Sequence, residues 1–300
     1  MSSQRNKSRQ DGTVMEAKIF FGSYRPVVLK RALTYAGEDG FVASMPQLIH
    51  ARTHAPFDNI MWNTWFSSCS EENVVTTPQG NHVVVVIHGG GLFAAPERFE
   101  KMYYASTDHR SEHGYTGQFA AKISKREARD VLAGKLPDGA EVPVYPYEEF
   151  ERGIRDLPIR YGVVLDFDLA RRSESGYVDF DVLKDDPNII ARTGGVAANI
   201  AYLDKFQARH NTKRMGHWHP YDRIDPNQPQ SSTLDLAGNE GGTGSDVDEF
   251  DPTTRTERET GYHSETGLSG GGSVGPGLAR YVAVAPRDAS RSVRNLDFGV

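Results

Sequence analysis

Cysteine is almost absent from this 300-residue chain; Cys69 is its single representative. That excludes an intramolecular disulfide and a cysteine-rich zinc site. No apolar run approaches the roughly 18 residues that a membrane-crossing helix needs. Positive charge is not in excess, since 34 Lys and Arg stand against 40 Asp and Glu for a formal net charge of −6. Such a balance offers no broad positive field to collect a polyanion, so neither nucleic acid nor a membrane is expected as a partner. The polar stretch Met1 to Thr13 lacks the apolar core of a signal peptide. The expected setting is the cytoplasm, with a disordered tail over 1–13.

What is present suffices for a core: 38% of residues are hydrophobic and 10% aromatic. Val83 to Ile87 is an unbroken run of β-branched residues, as in a strand buried on both faces. Ile159 to Phe167 reads as a second buried strand, and Val83–Ile87 and Val163–Leu165 are expected in one sheet. Thr77 to Asn81 is a turn that makes Asn73–Thr76 and His82–Ile87 a hairpin. Pro26 opens a helix that Gly37 closes. Ser124 and Glu127 form a capping box for a helix ending at Gly134. Asp186-Pro187 starts another helix, and Val196 to Ala208 is amphipathic through Val196, Ile200, Leu203 and Phe206. From Pro226 to Pro276 the chain is mostly Gly, Ser, Thr, Asp and Glu, too poor in apolar surface to offset ordering entropy. Leu278 to Ala285 alternates as a last strand should. The expected fold is mixed α/β (or α+β), a single domain over 14–225 plus 277–300 around a central mixed sheet. Residues 226–276 form a long low-complexity, disordered insertion before the last strand.

Three places carry chemistry. The strand ending at Ile87 runs into His88, Gly89, Gly90 and Gly91, where the absence of Cβ atoms lets backbone amides approach an anion. This stretch resembles the His-Gly-Gly-Gly oxyanion loop of the lipase and esterase branch of the α/β-hydrolases. The resemblance implies a nucleophile elbow, and the Gly-x-Ser-x-Gly stretch Gly267 to Gly271 supplies that pattern, although no histidine follows His263 to complete the usual order. Asp166 and Asp168 follow Val163–Leu165 at a strand end. They resemble the first motif of haloacid-dehalogenase-type phosphatases, in which Asp166 would be nucleophile and Asp168 general acid/base; Ala170 departs from that motif. His217 and His219, two apart, can point to one side of an extended chain and ligate one ion with a carboxylate such as Asp166.

Weaker patterns accompany these. His109, Glu112 and His113 resemble the motif of inverted zinc peptidases. Arg25, Ser67 to Ser70, and Glu149 with Glu151 resemble the ordered motifs of ADP-ribosyltransferases, with Cys69 breaking the serine motif. Asp179, Asp181, Asp185 and Asp186 form an acidic run, and His50 and His54 share a face of any helix through them.

Two functions follow from the sequence. One is a metal-assisted hydrolase of the phosphoester or ester class. In it the glycine loop, Asp166/Asp168 and His217/His219 converge on one cleft with a divalent metal, Zn or Mg. The alternative is a non-catalytic binding or assembly protein, its glycine loop structural and its insertion contacting a protein or small-molecule partner.

Overall fold

The computed structural model describes residues 15–105, 110–116, 120–219, 221, 224–238 and 278–287, and the backbone of 267–272. The elements are, in chain order, β1 (Met15–Gly22), α1 (Arg25–Ala36), β2 (Phe41–Val42), α2 (Met45–His54), α3 (Ile60–Asn63) and β3 (Phe66–Thr76). There follow β4 (His82–His88), a 3-10 turn (Leu92–Ala94), α4 (Pro96–Tyr104), β5 (Ala121–Lys122), α5 (Lys125–Leu132), β6 (Val144–Pro146), α6 (Tyr147–Glu151) and β7 (Tyr161–Asp166). The chain continues through α7 (Phe167–Arg171), β8 (Gly176–Asp179), α8 (Phe180–Leu183), α9 (Pro187–Thr193) and α10 (Val196–His210). It closes with β9 (Arg214–Trp218), β10 (Gln230–Leu236), β11 (Gly267–Gly272) and β12 (Ala279–Pro286).

Local chemistry explains the boundaries. Pro26 sits in the first turn of α1, and Gly37 closes that helix at φ +64°. The Ser124–Glu127 capping box starts α5, with Glu127 N–H donating to Ser124 Oγ at 3.2 Å and Ser124 N–H to Glu127 Oε2 at 2.7 Å. A second box, Ser44 with Gln47, starts α2 in a stretch whose sequence is ambiguous. The Asp186 carboxylate accepts from Asn188 N–H and Ile189 N–H to cap α9.

Among the described residues the main sheet has nine strands, in the order β6-β7-β4-β3-β10-β11-β9-β8, with β5 paired to β10. The β6–β7 and β11–β9 pairs are parallel. β3, β4 and β7 run antiparallel in sequence, with Val85 opposite Asn73 on one side and Val164 on the other. The expected placement of Val83–Ile87 and Val163–Leu165 in one sheet therefore holds. A second, three-stranded sheet, β1-β12-β2, pairs the first strand with the last. Alternation along β3 and β4 splits the interior. Phe66, Val74, Val84 and Val86 face the core under α2, α9 and α10, whereas Val75, Val83, Val85 and Ile87 face α5. Val84, Val85, Val86 and Ile87 are wholly buried, each contributing about 1.5–3 kcal/mol by leaving water.

Two boundaries differ from the sequence expectation. β3 starts at Phe66, seven residues before the expected Asn73, because its polar run Ser67–Asn73 is buried, paired with β10 at Phe66 and Ser67 and with both β10 and β4 over Glu71–Asn73. Within the expected insertion, Gln230–Leu236 is a buried central strand between β3 and β11, and Gly267–Gly272 is a strand as well. The polar residues of β10 read as disorder because composition cannot register backbone pairing on two sides. Residues 1–13, and 239–266 of the insertion, lie outside the described residues. Among the described residues, no helix is long and apolar enough to cross a membrane.

Candidate functional site

Just past the glycine loop, the Leu92 and Phe93 amides hold a carboxyl group of the protein itself, that of Glu71. Glu71, on β3 beside the end of β4, is buried. Its Oε1 accepts from Leu92 N–H at 2.9 Å and its Oε2 from Phe93 N–H at 2.8 Å. Asn73 Nδ2 donates to Oε1 at 3.1 Å. A Cβ built on Gly91 would lie 2.1 Å from the Glu71 carboxyl carbon, so only glycine leaves room for the carboxylate. Gly89 and Gly90 adopt φ +78° and +138°, and both of their amides donate to Cys69 O, at 2.9 and 3.1 Å. Burial pushes the Glu71 carboxyl above its ordinary pKa, against the opposing pull of these amides, Asn73 and Arg98.

His88 points to the other face of the sheet. Its Nε2–H donates to Ala191 O at 2.9 Å, which leaves Nδ1 to accept from Ser70 Oγ–H at 2.9 Å. Burial lowers its pKa to about 4, so the ring is neutral.

A second buried network joins α9, β3 and β9 with the turn at Ser173. Arg192 of α9 makes a two-pronged ion pair with Glu72 of β3, at 2.6 and 2.8 Å. Its Nη1 also donates to His217 Nδ1 at 3.2 Å and to Trp218 O at 3.1 Å. Arginine is only a donor, so His217 Nδ1 is the acceptor and its Nε2–H faces Ser173 Oγ at 3.1 Å. Ser173 in turn hydrogen-bonds to Asp186 Oδ2. Burial, and then Arg192 and His219, hold His217 well below the ordinary histidine pKa. Burial by itself would lower the Arg192 pKa, but Glu72 outweighs it and raises it. His219 donates from Nε2 to Ser173 O at 2.8 Å and accepts at Nδ1 from Tyr221 N–H at 3.4 Å. The ring lone pairs that a metal would take are thus engaged by N–H donors, one of them on a guanidinium.

Asp166 and Asp168 lie elsewhere. Both are exposed. Asp166 caps α7 by accepting from Leu169 N–H at 3.1 Å, and Asp168 lies 4.0 Å from Arg171. Register separates them from the glycine loop: His88 is opposite Tyr161, and Val83 opposite Asp166. Five residues at roughly 3.3 Å each put the two strand ends about 16 Å apart. The expected convergence on one cleft is corrected by this antiparallel pairing, since the carboxyl ends of β4 and β7 point in opposite directions. Among the described residues, no three His, Cys, Asp or Glu side chains are placed to hold a metal ion.

The weaker patterns resolve locally. Asp179 pairs with Arg214 at 3.3 Å and Asp181 with Lys184 at 3.4 Å, both near solvent. His50 and His54 share one face of α2, with ring centroids 4.1 Å apart and the rings tilted by 37°. His109 lies outside the described residues, and His113 contacts Glu127 at 3.4 Å. Buried Arg25 donates to Thr233 and Asp235. The exposed Glu149 and Glu151 sit on α6, whose Phe150 packs into the core on the other side of the sheet. Gly267 to Gly271 lies within a strand and not at a strand-to-helix elbow. Burial raises the Cys69 thiol to about 12, which leaves it protonated.

Sequence reasoning missed Glu71, Glu72, Arg192 and Ser173. The available signal was the pair of adjacent glutamates inside a run continuous with the hairpin strand.

Comparison with known proteins speaks to the fold alone. No family model and no curated protein matches the chain. A solved structure described as accommodating massive sequence variation in Nanoarchaeota by the C-type lectin fold superposes with a TM-score of 0.61. It is 21% identical, and the match covers 91% of this chain and 98% of that one. The fold is C-type lectin-like. In this C-type lectin-like domain the first and last strands pair, and the glycine loop and the Arg192 network brace the two faces of the main sheet.

Proposed function

We propose that this C-type lectin-like chain is a non-catalytic binding or assembly protein whose partner is a small molecule or another protein. The observation that carries this reading is the Glu71 carboxylate seated on the Leu92 and Phe93 amides. An oxyanion hole stabilises charge that develops during reaction, and it must be vacant to do so. A resident carboxylate makes the glycine loop a brace between β3 and the 3-10 turn. The engaged rings of His88, His217 and His219 support the same reading, since a general base needs a lone pair within reach of substrate.

The test is turnover. Purified protein is offered activated carboxylic and phosphoric esters, with zinc or magnesium supplied. The expected result is no hydrolysis beyond that of Asp166→Asn and His217→Gln variants. Turnover lost on either substitution, with the melting temperature retained, overturns the proposal in favour of the hydrolase.

A further inference from the structure

We infer that the outer edge of β1 pairs antiparallel with β1 of a second copy of this chain, with Ala17 on the two-fold axis. The inference rests on the binding-or-assembly reading and names one partner for it. Among the described residues β1 pairs only with β12, so its other edge offers main-chain donors and acceptors over Met15–Gly22. Eight consecutive residue pairs join β1 to β12 without a register shift. This edge therefore has neither the bulge nor the proline that commonly blunts an edge strand.

Its side chains are placed for company. Met15, Glu16, Ala17 and Lys18 are all exposed. One face of the three-stranded sheet packs on α1 through Phe20, Val42, Tyr281 and Ala283. The other face carries Met15, Ala17, Ile19 and Phe21, beside their partners Pro286, Val284, Val282 and Arg280. Ile19 and Val282 of this face pack on the main core, and Phe21 lies 6.5 Å from Trp65, while Met15 and Phe21 at the edge remain 44% and 48% exposed.

Symmetry selects the register. Opposite residues of an antiparallel pair lie on the same face, so a two-fold axis must pass through a residue position. With Ala17 on the axis, Glu16 faces the partner's Lys18 and Met15 faces the partner's Ile19, each pairing occurring twice. Centring on Glu16 or Lys18 sets like charges against each other, and centring on Ile19 sets Lys18 against Phe20. Only the Ala17 register gives opposite charges on one face and apolar pairs on the other. A strand-edge contact is smaller than the roughly 1,200 Å² of a tight interface, so the dimer is concentration-dependent.

Light scattering on the full chain, across a wide concentration range, tests this. The expected mass rises to twice that of the chain. K18E sets a carboxylate against the partner's Glu16 at both symmetric positions and weakens association by about tenfold. E16K sets two ammonium groups together and does the same. The E16K/K18E double variant, which restores opposite charges, restores association. Lys18 also lies 5.6 Å from the Phe20 ring and 5.7 Å from the Tyr35 ring. If loss of those contacts were the cause, the double variant would remain defective. A monomer at every concentration, a dimer indifferent to K18E, or failure of the double variant to recover overturns the proposal. The mass reads association and the ester assay reads chemistry, so failure of one is distinguishable from failure of the other.

Discussion

Replacing Glu71 probes the glycine loop at its centre. Glu71→Gln keeps the shape and removes the charge. The carboxylate accepts on both oxygens, from Leu92 N–H and Asn73 Nδ2 on Oε1 and from Phe93 N–H on Oε2. An amide has one oxygen, so its NH2 must face a backbone N–H, and one buried donor loses its acceptor. That costs about 1–3 kcal/mol, partly offset because a buried charge is gone. Glu71→Ala strips both backbone amides and leaves a void, for a cost of about 3 kcal/mol or more. At about 2–4 °C per kcal/mol, the alanine variant melts roughly 6–12 °C lower. A pH series adds a signature. The folded pKa of Glu71 is raised, so the native state binds a proton before the unfolded chain does. This component of stability therefore falls as pH rises from the ordinary carboxylate range through the raised value. Glu71→Gln lacks that component. Melting curves by circular dichroism, with and without denaturant, read all three effects. An alanine variant as stable as the wild type would show that Glu71 does not brace this turn.

Other outcomes follow from the same contacts. Gly91→Ala forces a Cβ to 2.1 Å from the Glu71 carboxyl carbon. It should destabilise the parent strongly and the Glu71→Ala variant far less, a non-additivity that a double-mutant cycle measures. Arg192→Met leaves Glu72 buried without its partner and costs about 3–5 kcal/mol in denaturant titration, and adding Glu72→Gln recovers part of it. His88 is held neutral, with its pKa at about 4 against 6.5 for the free side chain. The unfolded state therefore takes up a proton first, and stability drops by up to about 3 kcal/mol as pH falls from 6.5 to 4. His88→Gln flattens that slope. Val85→Asp places an unpaired charge at a fully buried position, and soluble folded protein should be lost.

The elements that announced themselves in sequence did so by local signals. The Val83–Ile87 run, the hairpin turn, the Ser124 box and the Asp186-Pro187 cap each depend on neighbours within a few residues, and each is where it was expected. The polar strands β3 and β10 were illegible for the opposite reason. Ser67–Asn73 and Gln230–Leu236 are strands because they pair with each other across a separation of about 160 residues, which local pattern does not register. The candidate site failed at the same step. His88, Asp166 and His217 were recognisable as residue types, but their neighbours depend on strand direction. One antiparallel pairing, β4 with β7, sends the glycine loop and Asp166 to opposite ends of the sheet. The glycine loop was legible as a place where backbone approaches closely; what the sequence hid was that the Gly89 and Gly90 amides bond Cys69 O and that Glu71 takes the Leu92 and Phe93 amides beside them.

The Leu92 and Phe93 amides are occupied from within, by Glu71. Titrating isotopically labelled protein with a phosphonate, a mimic of the charge an oxyanion hole binds, while following the Leu92 and Phe93 amide resonances, tests it most directly. Neither amide is expected to move in the wild-type protein. Saturable shifts of both amides in the wild type would show a vacant anion site and contradict it.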